Sequence, residues 1–193
     1  MGLHQAGYSV VGVDNISQPY YPFEFILGDA RTVNLSGFDF VWASPPCQRY
    51  SRMTGCRSNL RDKYPNLIPE IREKLKQWGG EWIIENVVGA PLENPIMLCG
   101  AMFGLLTYRH RIFESNVPLS APQHPEHRIP TSKAGHWRPG TFISVAGNCA
   151  PMALAREAMG IDWTTRSELV EAIPPVFSKY LANQILYREA AIS

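Results

Sequence analysis

The sequence predicts an α/β domain with a mainly parallel β-sheet. Short apolar runs of strand length alternate with stretches that have helical spacing, which is the pattern of such domains. Three of the runs end in reactive side chains, Asp14, Cys47 and Glu85. Ligands bind at the carboxyl ends of the strands in open parallel sheets, so we expect a functional site at that edge.

Buried strands are predicted where apolar residues follow one another between polar or glycine-containing turns. The strongest of these runs cover residues 8–14, 24–28, 38–43 and 81–84. Further strands are expected at residues 110–115 and 142–146.

Helices are predicted from apolar residues spaced three or four apart. Leu67, Ile71, Leu75 and Trp78 place a helix at residues 66–78, which Gly79 should end. The first residues are expected to be the last turn of a helix closed by Gly7, and residues 92–106 contain a short helix. Three more helices are predicted at residues 151–159, 165–172 and 175–190.

The composition is that of a globular protein, with 45% hydrophobic and 18% charged residues. The net charge of +1 argues neither for nor against a nucleic-acid partner. No apolar run approaches the roughly 18 residues of a membrane span, and the first residues lack the pattern of a signal peptide. A cytoplasmic protein without a membrane partner is expected.

The cysteines and histidines give no expectation of a metal site. The four cysteines are widely spaced without a CxxC pair, which favours a reduced compartment over disulfides or zinc. His124 and His127 form an HxxH pair, but no cysteine lies near them in the sequence. They are expected to be solvated loop side chains.

The strongest local signal is Ser44-Pro45-Pro46-Cys47-Gln48, directly after a predicted strand. Two prolines restrict the backbone and present the thiol in a fixed pose. Near a helix start or an arginine, such a thiol has a lowered pKa and acts as a nucleophile. From these residues alone, a buried structural cysteine after a proline turn is an equally good interpretation.

Two further motifs carry groups suited to catalysis. Glu85-Asn86-Val87 ends a predicted strand, where a buried carboxyl group can transfer a proton. Arg109-His110-Arg111 places two guanidinium groups on one face of an extended segment, suited to phosphate or base edges. Taken singly, each motif is also compatible with a surface acid after a strand or a charged edge strand.

These motifs, in this order, resemble those of the cytosine-5 DNA methyltransferase family, of the small phage and bacterial type. The family has Pro-Cys-Gln, Glu-Asn-Val, Arg-x-Arg and a final Pro-Pro motif, which match Pro46-Cys47-Gln48, Glu85-Asn86-Val87, Arg109 with Arg111, and Ile173-Pro174-Pro175. The resemblance covers nearly the whole chain. It implies a Rossmann-like methyltransferase fold and transfer of a methyl group from S-adenosylmethionine to carbon 5 of a cytosine flipped out of double-stranded DNA.

The resemblance also implies residue roles. Cys47 would attack carbon 6 of cytosine, Glu85 would act at ring nitrogen 3, and Arg109 and Arg111 would complete the catalytic set. The cofactor would be bound by Asp14, Asn15, Asp29, Ala30, Pro46 and Asn86. The nucleic acid would be contacted by Gln48, Arg49, Ser51 and Arg52, within a basic stretch.

The chain departs from the family at its start, where the first strand and its glycine-rich cofactor turn are not found. An N-terminally truncated fold is therefore expected. Three explanations are open: a truncated reading frame, a strand supplied by another chain or by self-association, or loss of cofactor binding.

The second departure is a short recognition region. The expected division is a catalytic core at residues 1–115, a recognition-like segment at 116–150, and a helical part at 151–193 that returns to the core. No target sequence can be inferred from so short a segment. Two alternatives remain open: a catalytically impaired nucleic-acid-binding protein, and a methyltransferase acting on RNA or a free nucleotide.

Overall fold

The protein has an α/β fold in which helices pack against two β-sheets. The computed structural model describes residues 1–51 and 62–190. Strands β1 (Val11–Asp14) and β2 (Glu24–Leu27) form a parallel pair. A second sheet has the order β3-β4-β6-β5, and its strands are β3 (Phe40–Ala43), β4 (Glu81–Asn86), β5 (Ile96–Leu98) and β6 (Arg111–Ser115).

The predicted helices form close to their expected positions. In the described residues they are α1 (Gly2–Gln5), α2 (Ile68–Trp78), α3 (Met152–Met159), α4 (Arg166–Glu171) and α5 (Pro175–Ala190). Gly79 ends α2 as predicted, with φ +81° and its N–H donated to the Leu75 carbonyl. None of these helices is long and apolar enough to cross a membrane.

The prediction of a mainly parallel sheet is wrong in the larger sheet, which is mixed. Only β3 and β4 run parallel there, while β6 runs antiparallel to both β4 and β5. β5 and β6 are consecutive strands that pair directly as an antiparallel hairpin through residues 99–110, and β6 then lies between β5 and β4.

Two local predictions also need correction. Residues 142–146 form no ladder, and only a single bridge joins Thr131 to Phe142, although Ile143 and Val145 are buried. Residues 92–106 contain the expected short helix, which is the 3₁₀ helix Gly100–Phe103, but they also contain the strand β5, which was not predicted. In both places side chains are buried by tertiary packing that local periodicity does not reveal.

Both faces of β4 are buried, which explains its continuous apolar run. On one face Trp82 and Ile84 pack against α2. On the other face Ile83 packs against Phe177 and Leu181 of α5. The larger sheet therefore lies between α2 and α5, and its strand ends are held by a core on each side.

A second core lies under the C-terminal helices. It joins side chains of segment 116–150 to α3 and α4, and its buried members are Ile143, Val145, Cys149, Ala155, Ala158, Met159, Ile161 and Leu169. Segment 116–150 is therefore anchored by burial near its end as well as by its connection to β6.

A buried ion pair joins α2 to β6. Arg72 donates through Nε and a terminal nitrogen to the two carboxylate oxygens of Glu114, at 2.6 and 2.7 Å. The same guanidinium donates to the Pro91 carbonyl, and Glu114 also accepts the Glu93 N–H. Every charge-bearing atom thus has a partner, which is the condition for burying such a pair.

We expect Arg72→Ala to lower the free energy of unfolding by about 3–5 kcal/mol, because it leaves the Glu114 carboxylate buried without its counter-charge. Denaturant titration measures the change. Arg128→Ala is the matched control, because Arg128 forms an exposed pair with Glu126 and its loss should leave the unfolding midpoint unchanged. Equal effects of the two substitutions would contradict the assigned role of the buried pair.

Candidate active site

Three strand ends converge at one edge of the larger sheet. The parallel register pairs Ala43 of β3 with Ile84 of β4, so Ser44 follows at the level of Glu85. Because β6 runs antiparallel to β4, its first residue, Arg111, lies at the edge where β4 ends. The structure therefore brings the proline-cysteine turn, Glu85 and Arg111 to the same edge, as the sequence predicts.

The turn that carries Cys47 is fixed to the end of β4. Asn86, which is buried, donates its side-chain N–H to the Pro45 carbonyl at 2.9 Å. On the far side of the turn, the Cys47 carbonyl accepts the N–H groups of Tyr50 and Ser51 at 2.9 and 3.0 Å. Asn86 thus has a positioning role for the thiol, beside its predicted cofactor contact.

Glu85 is a buried carboxyl group in an ion pair. Its Oε1 lies 3.0 Å from Nε of Arg111, and Ser44 also hydrogen-bonds to the carboxyl group. Burial raises the pKa of Glu85, and Arg111 is the largest influence that opposes this shift. The carboxyl group is therefore biased toward holding a proton, which suits a general acid.

The thiol of Cys47 is half-buried beside this pair. Burial raises the pKa of Cys47, Arg111 opposes the shift, and Glu85 adds to it. The expectation of a lowered thiol pKa is therefore wrong for the protein without substrate, because desolvation outweighs the nearby guanidinium.

Arg109, predicted to be catalytic, makes backbone contacts with the C-terminal part of the chain. Its guanidinium is buried and donates to three backbone carbonyls, those of Val145, Val170 and Ala172, at 2.6–2.7 Å. Burial lowers its pKa to about 9, with Arg111 adding to the effect. Arg109 also has a positive φ of 37°. Its contacts make it a structural clamp on the C-terminal core.

The two acids predicted to bind the cofactor lie at the carboxyl ends of the strands of the smaller sheet. Asp14 is the last residue of β1, and Asp29 comes two residues after β2. The Asp14 carboxylate accepts the Ile16 N–H at 2.9 Å and the Gln18 amide at 3.2 Å, and Asn15 beside it is exposed. At the end of β2, Asp29 is held by Arg31, whose hydrogen bonds and charge lower the pKa of the carboxyl group to about 2. Ala30 is exposed there.

The predicted substrate residues follow Cys47 along the chain. An open cleft of about 450 Å³ beside the turn is lined by Ser51, Val87, Val88, Met97 and His110, and its size is in the range of ligand sites. Pro46 is exposed and Gln48 is partly exposed.

Arg49, also predicted to contact substrate, lies at the base of the basic stretch. It donates to the Tyr64 carbonyl at 3.1 Å and lies 3.5 Å from Asp62. Arg52 and the arginines that follow it in the basic stretch lie outside the described residues. The predicted phosphate contacts of that stretch stay a prediction.

Sequence reasoning missed a set of metal-type side chains next to the cleft. Cys99 and His110 lie together with His124 and His127, and one ligand atom of each falls within 4.8 Å of all the others. The HxxH spacing was the available signal, but its cysteine partner comes from a distant part of the sequence.

A scan against protein-family models and a search of curated proteins found no match to this chain. The functional assignment therefore depends on the side chains at the sheet edge and on the motifs they belong to.

We expect alkylation of Cys47 by iodoacetamide to be slow at neutral pH. The thiolate is the reacting form, and the raised pKa of Cys47 moves its formation to higher pH than in a free cysteine, whose pKa is about 8.5. Rates measured by peptide mass spectrometry should rise with pH to a midpoint above that value. A midpoint below pH 8 would show that Arg111 outweighs burial.

Proposed function

We propose that this chain is a cytosine-5 DNA methyltransferase that uses Cys47 as its nucleophile. The observation that carries the proposal is the arrangement at one sheet edge of a thiol on a proline turn and a buried Glu85–Arg111 ion pair. Their order along the chain resembles that of the methyltransferase motifs. The arrangement supplies each group that this reaction needs from the protein.

The reaction begins with nucleophilic addition. The thiolate of Cys47 forms a bond to carbon 6 of cytosine, which increases electron density at carbon 5. S-adenosylmethionine, when bound, supplies the methyl group that carbon 5 accepts. Solvent water then accepts the carbon-5 proton, ring nitrogen 3 returns its proton to Glu85, and the bond between carbon 6 and sulfur breaks, which releases the thiolate and restores the aromatic ring.

Glu85 and Arg111 act on the base during the addition. A Glu85 carboxyl group that holds its proton can donate it to ring nitrogen 3, which carries the developing negative charge. Burial raises the pKa of Glu85 from its ordinary value, which makes proton uptake by this carboxyl group easier than in a free glutamic acid. The guanidinium group of Arg111 can stabilise the carbonyl oxygen of the base. When the base enters, it would displace water from around Cys47, and the base and Arg111 would then surround the thiol.

The residues at the ends of β1 and β2 fit the cofactor in part. Asp14 uses one hydrogen bond at each oxygen, and a carboxylate has about four acceptor positions, so it can still accept ribose hydroxyl groups. Asp29 fits less well, because its oxygens are already held by the side chain and backbone of Arg31. Asp14 is therefore the residue we assign to the ribose.

DNA is the substrate that the proposal favours. Carbon 5 of cytosine cannot be reached inside a stacked duplex, so the base has to leave the helix and enter the cleft beside Cys47. Segment 116–150 contacts His110, which lines the cleft, through His124. The segment contains the basic residues Arg128, Lys133 and Arg138, which suit phosphate contacts.

The proposal predicts a covalent complex between Cys47 and DNA that contains 5-fluorocytosine. Fluorine cannot leave carbon 5 as the proton does, so the adduct accumulates once the methyl group has been transferred. Mixed-sequence duplexes incubated with the protein and S-adenosylmethionine should give a denaturation-resistant complex, and mass spectrometry should map it to Cys47. Glu85→Gln should lower the rate of adduct formation about 100- to 10,000-fold.

Cys47→Ser is the control, and its unfolding midpoint should match that of the unmodified protein. An adduct mapped to Cys99 or Cys149 would contradict the assigned nucleophile. A complex formed only with fluorinated RNA or a free nucleotide would retain the chemistry and replace the substrate class.

The proposal also predicts that the full chain binds S-adenosylmethionine through Asp14. Asp14→Ala should weaken binding about 10- to 100-fold, because a hydrogen bond to a charged acceptor contributes about 1.5–3 kcal/mol. Calorimetry measures the affinity. Asp39→Ala is the matched control, since Asp39 is exposed and precedes β3 at the opposite edge of the sheet. Absence of binding by the unmodified chain would contradict the cofactor assignment.

A further inference from the structure

We propose that Cys99, His110, His124 and His127 bind one zinc ion in a closed, structural site. The four ligand atoms all lie within 4.8 Å of one another. The inference does not depend on the proposed methyltransferase activity, because it concerns different side chains and a different kind of chemistry.

The distances are close to those of a tetrahedral site. Zinc lies about 2.0–2.1 Å from imidazole nitrogen and about 2.3 Å from sulfur, which places neighbouring ligand atoms about 3.3–3.6 Å apart. Sγ of Cys99 lies 3.4 Å from Nε2 of His127, and Nε2 of His110 lies 3.1 Å from Nε2 of His124. Small side-chain rotations bring all four atoms around one centre.

The β5–β6 hairpin supplies the first two ligands. Its register pairs Leu98 with Arg111, so Cys99 and His110 come next to each other where the ladder ends. Gly100 allows the close approach, because a Cβ atom there would lie 2.0 Å from the Thr107 carbonyl oxygen. The Gly100 N–H also donates to the Tyr108 carbonyl at 2.6 Å.

Tyr108 holds His127 over this corner. Its ring stacks on His127 with centroids 3.6 Å apart, and its hydroxyl group donates to the Ile129 carbonyl at 2.6 Å. His124 precedes His127 by one short turn, and the two rings lie 4.8 Å apart. Both imidazoles therefore face Cys99 and His110.

The donor set selects a borderline-soft metal ion. One thiolate and three imidazoles suit zinc, whereas calcium and magnesium require oxygen ligands. The one acid between the two histidines of the HxxH pair, Glu126, is exposed and paired with Arg128. The Met102 backbone N–H also donates to the Cys99 sulfur, an outer-shell contact that stabilises a thiolate ligand.

Four protein ligands leave no position for a substrate or a reactive water, so the role of the ion is structural. It would fasten segment 116–150 to the hairpin corner that also carries Arg111. His110 lines the cleft beside Cys47, and its carbonyl accepts a hydrogen bond from Arg111. The ion would therefore fix the outer wall of the cleft.

The test is metal content and cobalt spectroscopy on the full chain, purified without chelators. Mass spectrometry should find about one zinc per chain, and cobalt substitution should give tetrahedral d–d bands with a sulfur-to-cobalt charge-transfer band. Cys99→Ser should abolish the charge-transfer band. His124→Ala and His127→Ala should each weaken zinc binding about 100-fold or more, since even outer-shell contacts contribute about 10- to 100-fold.

Matched controls separate ligation from general damage. Cys47→Ser and His136→Ala lie outside the cluster and should retain zinc and the cobalt spectrum. His124 and His127 are exposed, so their substitution tests the site even if Cys99→Ser does not fold. Failure of the unmodified chain to bind zinc or cobalt, or retention of full affinity by both histidine variants, would mean that the four side chains form only a hydrogen-bonded ring stack.

Discussion

The antiparallel pairing of β6 with β4 is the constraint on which the site depends. Because β6 runs against β4, its first residue lies where β4 ends, and Arg111 meets Glu85 there. A parallel β6 would begin at the opposite edge of the sheet, a strand length away from the thiol of Cys47. The same reversal places the β5–β6 corner, with Cys99 and His110, beside the cleft.

Three buried arginines show how the fold holds charge in its interior. Arg72 and Arg111 each face a carboxylate, of Glu114 and Glu85 respectively. Arg109 instead faces backbone carbonyls, whose dipoles compensate its charge only partly, and burial lowers its pKa accordingly. The two ion pairs differ in the additional groups that they contact. The Arg72 pair has further partners in the Pro91 carbonyl and the Glu93 N–H, while Arg111 also donates to the carbonyl of His110, which lines the cleft.

Sequence reasoning predicted the elements whose pattern is local. The helices, β3, β4 and the convergence of Cys47 with Glu85 followed from apolar periodicity and from motifs at strand ends. It did not predict the direction of β6, because strand pairing depends on long-range contacts and connection length. Arg109 was assigned to catalysis from its spacing to Arg111, whereas its contacts with the Val145, Val170 and Ala172 carbonyls depend on residues far along the chain and could not be predicted. Cys99 and His124 lie together only through tertiary structure, so spacing alone excluded a metal site.

The clamp formed by Arg109 has a consequence for biosynthesis. Its three carbonyl acceptors lie 36, 61 and 63 residues later in the chain. A nascent chain that has not yet reached Ala172 contains the guanidinium but lacks the groups that compensate its burial. These three contacts of Arg109 can therefore form only after Ala172 has left the exit tunnel. The compensation of the Arg109 charge is completed late in synthesis, after all six strands of the described residues have been made.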